Sequence, residues 1–476
     1  MNIFETIQRE TAELRSNIAV IEGDDRITYA GLFSRVDRAA RSLSAHGVGN
    51  LHRVGLLCDD SIDYIVASLA ILSLRAAVVP VSPEQTGEER DTVIKRIDVD
   101  YVISEARLHQ DDKGEPLASS GFVNKAFRIT RRAVRERPHA EYFRMHPAFI
   151  RFSSGTTGLS KGVVLSHEAI IERTDAADQA LRITPQDRIL WVLSMSYHFV
   201  VTILLFLRRG AMIILCGSRF PEMLIRGITE HHGTFMYASP FHYSLLSRTD
   251  ALRKEALGNI RMAVSTAMKL PGQIAEEFHA KFGLELTEAY GIIEVGLPFI
   301  KTGGGGKRGS VGKAVPGFEL RLDNKDDEGV GEIRIRGKGM LDAYYSPWQS
   351  REEILEDGWF KTGDLGRIDS DGYLFIVGRE KDVINFAGMK IFAQEVETVL
   401  NQHPQVRETL VYGADHPVYG QLPMAKIVSR KTGERIDLNE LRRFCYQRLA
   451  QYKVPKDFSF VDALPKTASG KIKRTP

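Results

Sequence analysis

Residues 27–83 read ITYAGLFSRVDRAARSLSAHGVGNLHRVGLLCDDSIDYIVASLAILSLRAAVVPVSP, and they decide the fold class. Leu32, Val36, Ala39 and Leu43 recur at helical spacing, and the run stops at Gly47, a natural helix terminator. RVGLLC then reads as a short buried strand. DSIDYIVASLAILSL reads as a helix that Asp60 or Ser61 can cap. AAVVPVSP reads as the next strand, ended by Pro83. Such β/α alternation predicts parallel sheets with helices on their faces. It returns in IRMAVST (strand), LPGQIAEEFHAKFG (helix) and LELTEAYG (strand).

The texture changes after about residue 300. KTGGGGKRGSVGKAVPG is a Gly-rich loop, and the short alternating strands FELRLD, GEIRIRG and DGYLFIVG follow it. From Asp382 the pattern is mixed again: QEVETVLNQHP helical, ETLVYGAD extended, LNELRRFCYQRLA an amphipathic helix. The main boundary is placed near Gly378–Lys381. The expected fold is α/β. A large N-terminal domain (1–378) has parallel-rich sheets flanked by helices plus a β-rich lobe. A small, mobile α+β C-terminal domain (379–476) completes it.

A length of 476 residues, 43% of them hydrophobic and 26% charged, suits two or three folded domains and excludes disorder throughout. Lys and Arg number 64 against 61 Asp and Glu, so no global charge points to nucleic acid or an anionic membrane. Cys58, Cys216 and Cys445 lie far apart, which fits neither a CxxC metal site nor a disulfide framework. The start, MNIFETIQRE, lacks a signal-peptide core. The longest apolar run, FVVTILLFL, is cut by Arg208 and Arg209, short of the roughly 20 residues of a membrane helix. A cytoplasmic protein with no stable membrane insertion is expected.

Four segments carry chemistry. Phe152-SSGTTGLSKG-Val163 sets glycines and hydroxyls before Lys161, between the apolar strands FIRF and GVVL. Tight glycine turns present N–H groups, and a lysine adds charge, which is what a triphosphate needs. It is no P-loop, because Ser160 precedes Lys161 and Gly162 follows it. GLSKG has the GxSxG spacing of a nucleophile elbow, but a strand follows where the elbow needs a helix. Gly304, Gly306 and Gly309 match GxGxxG with no strand before and no helix after. In LTEAYGIIEVG, Tyr290 can stack on a base and Glu294 can hold Mg²⁺ on phosphates, although a strand end with a surface glutamate explains both. In GWFKTGDLGRIDSDGYLFIVGREKDVINFAGMKI, Asp364 can accept from a ribose diol and Arg379 can donate to the same nucleotide. LPKTASGKIKRTP ends the chain with Lys466, Lys471, Lys473 and Arg474.

Together and in this order, the segments resemble the adenylate-forming superfamily, which includes acyl- and aryl-CoA synthetases, luciferase and peptide-synthetase adenylation domains. The resemblance runs from about Tyr29 to Lys473. It implies that a carboxylate attacks the α-phosphate of Mg·ATP. A thiol of CoA, or of phosphopantetheine on an acyl carrier protein, then displaces AMP. It implies that Ser153, Ser154, Gly155, Thr156, Thr157 and Lys161 hold the β- and γ-phosphates, with Thr157 counted as catalytic. Ser265, Thr266 and Ala267 line the nucleotide site with Glu288, Ala289, Tyr290, Gly291 and Ile376. Glu294 binds Mg²⁺, Asp364 and Arg379 the ribose. Lys471 bridges carboxylate and α-phosphate. Lys381 falls at the hinge, and Gly388 and Lys390 at the thiol channel. The pattern departs from the family at Ile293, where Thr is usual, at Ser160, and in STAMKL, where Thr266 and Lys269 replace Gly and Pro.

Where amino-acid-activating relatives carry an Asp, this chain reads Ser196-Tyr197-His198, which disfavours an α-ammonium. His198 resembles the CoA-synthetase version, as does GREKDVINFAGMKI. The expected pocket is His198, Phe199, Thr202, Pro240, Gly291, Ile292, Gly296 and Leu297. With Val200, Val201 and Phe241 near, it suits an apolar acid, fatty or aryl. Arg208–Arg209 and Lys471–Arg474 are candidate basic patches for an acidic carrier protein. The alternatives are a non-catalytic nucleotide- or acyl-AMP-binding relative, a freestanding amino-acid adenylation enzyme, and a luciferase-like oxygenase.

Overall fold

The computed structural model describes residues 1–108, 114–152, 161–302, 307–386, 389–431, 436–467 and 471–474. The opening stretch folds as its periodicity predicts. Tyr29–Ala45 is a helix whose first turn is capped by the Thr28 hydroxyl, accepting from the Gly31 N–H. Leu32, Val36, Ala39 and Leu43 are on its buried face. Gly47 follows at φ +91°, a value glycine adopts without strain. Ser61, of the two candidates, caps Ile62–Ser73 through the Tyr64 N–H. That helix is buried nearly all round because layers cover both of its sides.

Four sheets form, all among the described residues. The first runs Gly296–Ile300, Leu286–Ile292, Met262–Ser265, Phe235–Ala238, Arg188–Trp191, Met212–Leu215, Ile18–Glu22, Asp25–Thr28. Its six inner strands are parallel and its two edges antiparallel. The second has nine strands around a parallel centre of Pro147–Phe152, Ala77–Val81, Arg53–Leu57 and Tyr101–Glu105. The third is a four-stranded antiparallel sheet of Phe318–Asp323, Gly331–Gly337, Phe360–Ile368 and Leu374–Arg379. It is the β-rich lobe expected after residue 300. The fourth holds only strands from Val383–Phe386 to Asp457–Phe460 and has its own core around Ile391, Val396, Val411, Ile427 and Leu441.

The apolar run 199–207 is buried and helical. It enters as the α-turn Met195–His198, widens to a π-helical turn over Phe199–Ile203, and tightens again at Leu204–Arg208. Among the described residues, no helix is long and apolar enough to cross a membrane.

Candidate active site

The first sheet gathers the site. Trp191, Tyr237 and Val264 are register neighbours, as are Ala238, Ser265 and Glu288. The strands are parallel, so the segments after them leave at one edge. SMSYH, SPFH, TAMKL and AYGIIE therefore converge there, outside the carboxyl ends of the strands, where open α/β sheets bind ligands. Glu294 sits in the turn between Leu286–Ile292 and Gly296–Ile300. That turn needs glycines. Gly296 has φ +105°, and a Cβ on Gly291 would lie 2.4 Å from the Gly296 carbonyl oxygen.

The third sheet brings two more groups. Asp364 and Arg379 are paired residues on adjacent strands. Arg379 Nε lies 2.9 Å from Asp364 Oδ1, and the Tyr290 hydroxyl donates to Oδ2. Asp364 is 3% exposed. Burial and the Asp364 carboxylate push the Tyr290 phenol well up, so it stays a donor. Each carboxylate oxygen keeps a lone pair beyond these bonds, so a diol can still be accepted. Ile376 is half-buried on the same strand as Arg379.

Glu294 is half-buried, and burial raises its carboxyl, opposed by the charges of Arg151 and Arg379. The Tyr344 hydroxyl stands 3.4 Å from its Oε1. Lys161 lies over the Tyr344 ring at 4.5 Å and donates to Gln349 Oε1 at 2.8 Å. Arg173 pins the turn, donating from Nη1 to the Ile293 carbonyl at 3.0 Å and from Nε to the Gly339 carbonyl at 2.8 Å.

Lys471 reaches this group from the end of the chain. A short closure holds it: the Thr467 N–H donates to the Lys471 carbonyl at 2.7 Å, and Lys473 N–H to Pro465 at 2.8 Å. Leu464 and Ile472 pack on Leu410 and Val428 of the fourth sheet. Arg474 pairs with Asp382 and Glu397, and Lys473 lies 3.7 Å from Glu89. Burial lowers the Lys471 ammonium, as do the like charges of Arg379 and Arg151, while Asp364 and Glu294 oppose. One basic nitrogen thus feels the ribose-type pair and Glu294 at once.

His198 ends the α-turn beside this cluster. Burial, with Arg151 and Lys471 as neighbours, lowers its imidazole to about 3, so it is neutral at working pH. The Thr202 hydroxyl donates to its carbonyl across the π-turn, a device that recurs at functional sites. Phe199, Val200, Thr202, Pro240 and Leu297 are buried, and Ile292 half-buried. Ser265 and Thr266 are buried too, and Ala267 is held at φ +72°.

Not every expected residue joins this group. Ser153, Ser154, Gly155, Thr156, Thr157 and Gly388 lie outside the described residues. Lys390 is exposed on the hairpin of Val383–Phe386 and Met389–Phe392. Phe241 is 59% exposed and rests on Phe220 and His242, so it does not wall a pocket. Of the two basic patches, Arg208–Arg209 is corrected and the tail keeps Lys473 exposed. Arg208 is 3% exposed and pairs with Glu10 and Asp175, and Arg209 adds Asp178. In the tail, Arg474 is spent on Asp382 and Glu397. Three site residues escaped the sequence reading: Arg151, Arg173 and Tyr344. The one available signal was a lone cation in the apolar strand PAFIRF.

Glu288, 6% exposed and two residues before Tyr290 on the same strand, is lifted by burial to about 7, opposed by Lys301 and Lys269. The folded protein holds this proton where the unfolded chain, near its ordinary 4.5, has lost it. Stability therefore falls as pH rises through that window. Glu288→Gln is expected to melt higher than the parent at about pH 8.5 and level with it near pH 4.5. Thermal melts at both pH values check this, and equal gains at both would reject it.

The pattern of the AMP-binding enzymes matches residues 7–345, and that of the AMP-binding enzyme C-terminal domain matches residues 395–471. The chain belongs to the AMP-binding enzyme family. A 2-succinylbenzoate–CoA ligase of Bacillus licheniformis is 28% identical over 98% of each chain. A sulfoacetate–CoA ligase of Cupriavidus necator is 33% identical over 69% of this chain and 66% of its own. ATP-bound MatB of Rhodopseudomonas palustris superposes with a TM-score of 0.85 at 26% identity, covering 100% of this chain and 98% of that one. As an AMP-binding enzyme, the protein has the fold its sequence predicted, and its curated relatives are acyl- and aryl-CoA ligases.

Proposed function

We propose that the protein activates a carboxylic acid with ATP, forming acyl-AMP and pyrophosphate, and then passes the acyl group to the thiol of CoA. The observation that carries this reading is the bonded group of Asp364, Arg379 and Tyr290, with the Lys471 ammonium under the influence of the Asp364, Arg379 and Glu294 charges. A carboxylate must approach a polyphosphate, and fixed cations at the point of attack offset that repulsion. In this reading Asp364 and Arg379 hold the ribose and Tyr290 packs at the base. Lys471 spans the carboxylate and α-phosphate, and the loop from Ser153 to Lys161 takes the β- and γ-phosphates. Glu294 suits Mg²⁺: a hard ion bound to phosphates needs one or two carboxylates, and Tyr344 takes up little of this one. The ion would neutralise phosphate charge.

An apolar acid, fatty or aryl, fits the buried Phe199, Val200 and Leu297 and the neutral His198. No carboxylate stands in Ser196–His198 to pair an α-ammonium. CoA is favoured over a carrier protein because the Arg208–Arg209 run is consumed internally, as is Arg474. The test is ATP–pyrophosphate exchange across short to long fatty acids, benzoates, cinnamates and amino acids. Exchange with one apolar class supports the reading, and none with any acid supports a non-catalytic binder.

The proposed division is 1–378 and 379–476, with Lys381 as hinge. The fourth sheet takes all its strands from the second part. Proline fixes φ near −65° and would block a swing at this position. Lys381→Pro is expected to keep pyrophosphate exchange within a few-fold while thioester formation falls roughly tenfold or more. Equal losses in both assays would count against a hinge there.

A further inference from the structure

We propose that Arg151 is a second cationic anchor for the α-phosphate of the bound nucleotide, acting beside Lys471. This deepens the adenylating function proposed above and rests on it. Arg151 is the penultimate residue of the strand Pro147–Phe152, which runs into the glycine-rich loop. Pro147, Ala148, Phe149 and Ile150 are buried, so an apolar side chain would serve the sheet. A long cation stands there instead. Its Nη1 donates to the Tyr197 carbonyl, and its Cζ lies 5.8 Å from the Tyr197 ring centroid. Its Nε is buried and unpaired.

Most buried guanidiniums elsewhere meet a carboxylate. Arg53 meets Asp100 at 3.0 Å, Arg208 meets Glu10 at 2.7 Å, and Arg334 meets Glu356 at 2.7 Å. Arg173 also lacks an ion pair among the described residues and keeps Nη2 buried and unpaired, but two bonds to carbonyls tie it to the Glu294 turn. Arg151 has no carboxylate in ion-pair reach among the described residues, and neither has Lys471. Arg151 is half-buried with its Nε fully so, and withdrawing a cation from water without an anion is costly, a cost that a ligand bringing the charge would offset. The bond from Arg151 to the Tyr197 carbonyl sets the guanidinium next to His198, and its charge bears on His198, Glu294 and Lys471. With the ribose at Asp364 and Arg379, the phosphate that lies next is the α-phosphate. A planar guanidinium offers it a paired donor face that an ammonium cannot.

The test uses the full chain and two probes, AMP and adenosine, titrated by calorimetry into the parent, R151M and R151K. The parent is expected to prefer AMP. R151M is expected to lose roughly 10- to 100-fold of that preference. Adenosine affinity should stay within about threefold, which also shows that the variant is folded. R151K keeps the charge without the planar fork and is expected between the two. An AMP-to-adenosine ratio in R151M and R151K equal to the parent's would overturn the anchor alone, as would a parent that binds both probes equally. A parent that binds neither probe would overturn the adenylating function as well.

Discussion

Lys471→Ala is expected to exchange ATP with pyrophosphate roughly 10²- to 10³-fold more slowly than the parent, the usual cost of one preorganised charge donor. The same variant should convert a supplied acyl-adenylate to thioester at near the parental rate. The split follows from where the ammonium sits. It feels the charges of Asp364, Arg379 and Glu294, and the proposed function sets it where charge builds up in the first reaction. No countercharge is left bare when it goes, because Lys471 has no ion pair among the described residues. The loss should therefore appear in catalysis and leave the melting temperature alone. Lys471→Arg restores charge with a different reach and should recover part of the rate. A Lys471→Ala protein that adenylates normally would remove this lysine from the mechanism.

Asp364→Ala should weaken nucleotide binding by roughly 30- to 1,000-fold and lower the melting temperature. Removing one partner of such a charge pair costs about 2–4 kcal/mol, toward the lower end when the guanidinium is 35% exposed. Asp364 is the common acceptor for Arg379 and Tyr290, and it is 3% exposed. Without it the Tyr290 phenol loses its acceptor and the Arg379 guanidinium, 35% exposed, loses its carboxylate. Asp364→Asn keeps the shape and one acceptor oxygen, so its fold should survive better than its affinity. Adenosine titration separates the two effects. Unchanged adenosine affinity in both variants would show that Asp364 organises the strands and leaves the ribose to another group.

Much of this was legible because it obeys local rules. Gly47 ends a helix and Ser61 starts one for reasons that lie within a few residues of each. The parallel inner strands followed from β/α alternation. Tyr290, Glu294, Asp364 and Arg379 were legible as parts of motifs, and the structure brings them together. What escaped depends on distant partners. Arg173 acquires its role from the Ile293 carbonyl, and Tyr344 from Glu294, across long stretches of chain. Arg208–Arg209 reads as a basic patch until Glu10, far away in sequence, is found against it. Phe241 reads as apolar wall, yet helix phase turns it outward. Spacing reports which residue types share a neighbourhood, and packing alone assigns their countercharges.

The π-helical turn at Phe199–Ile203 also bears on how this pocket can change over time. A wide turn within a helix carries one residue more than an α-turn of the same sweep. Deleting a residue there would restore ordinary pitch, shortening the wall by about 1.5 Å. Leu204–Arg208 beyond it, anchored through Glu10, could keep its seat. The segment thus behaves as an adjustable spacer between a fixed imidazole and a fixed hydrophobic anchor. Single-residue insertions and deletions at this point offer a route to substrates of new size, for evolution or the engineer, without repacking the interior.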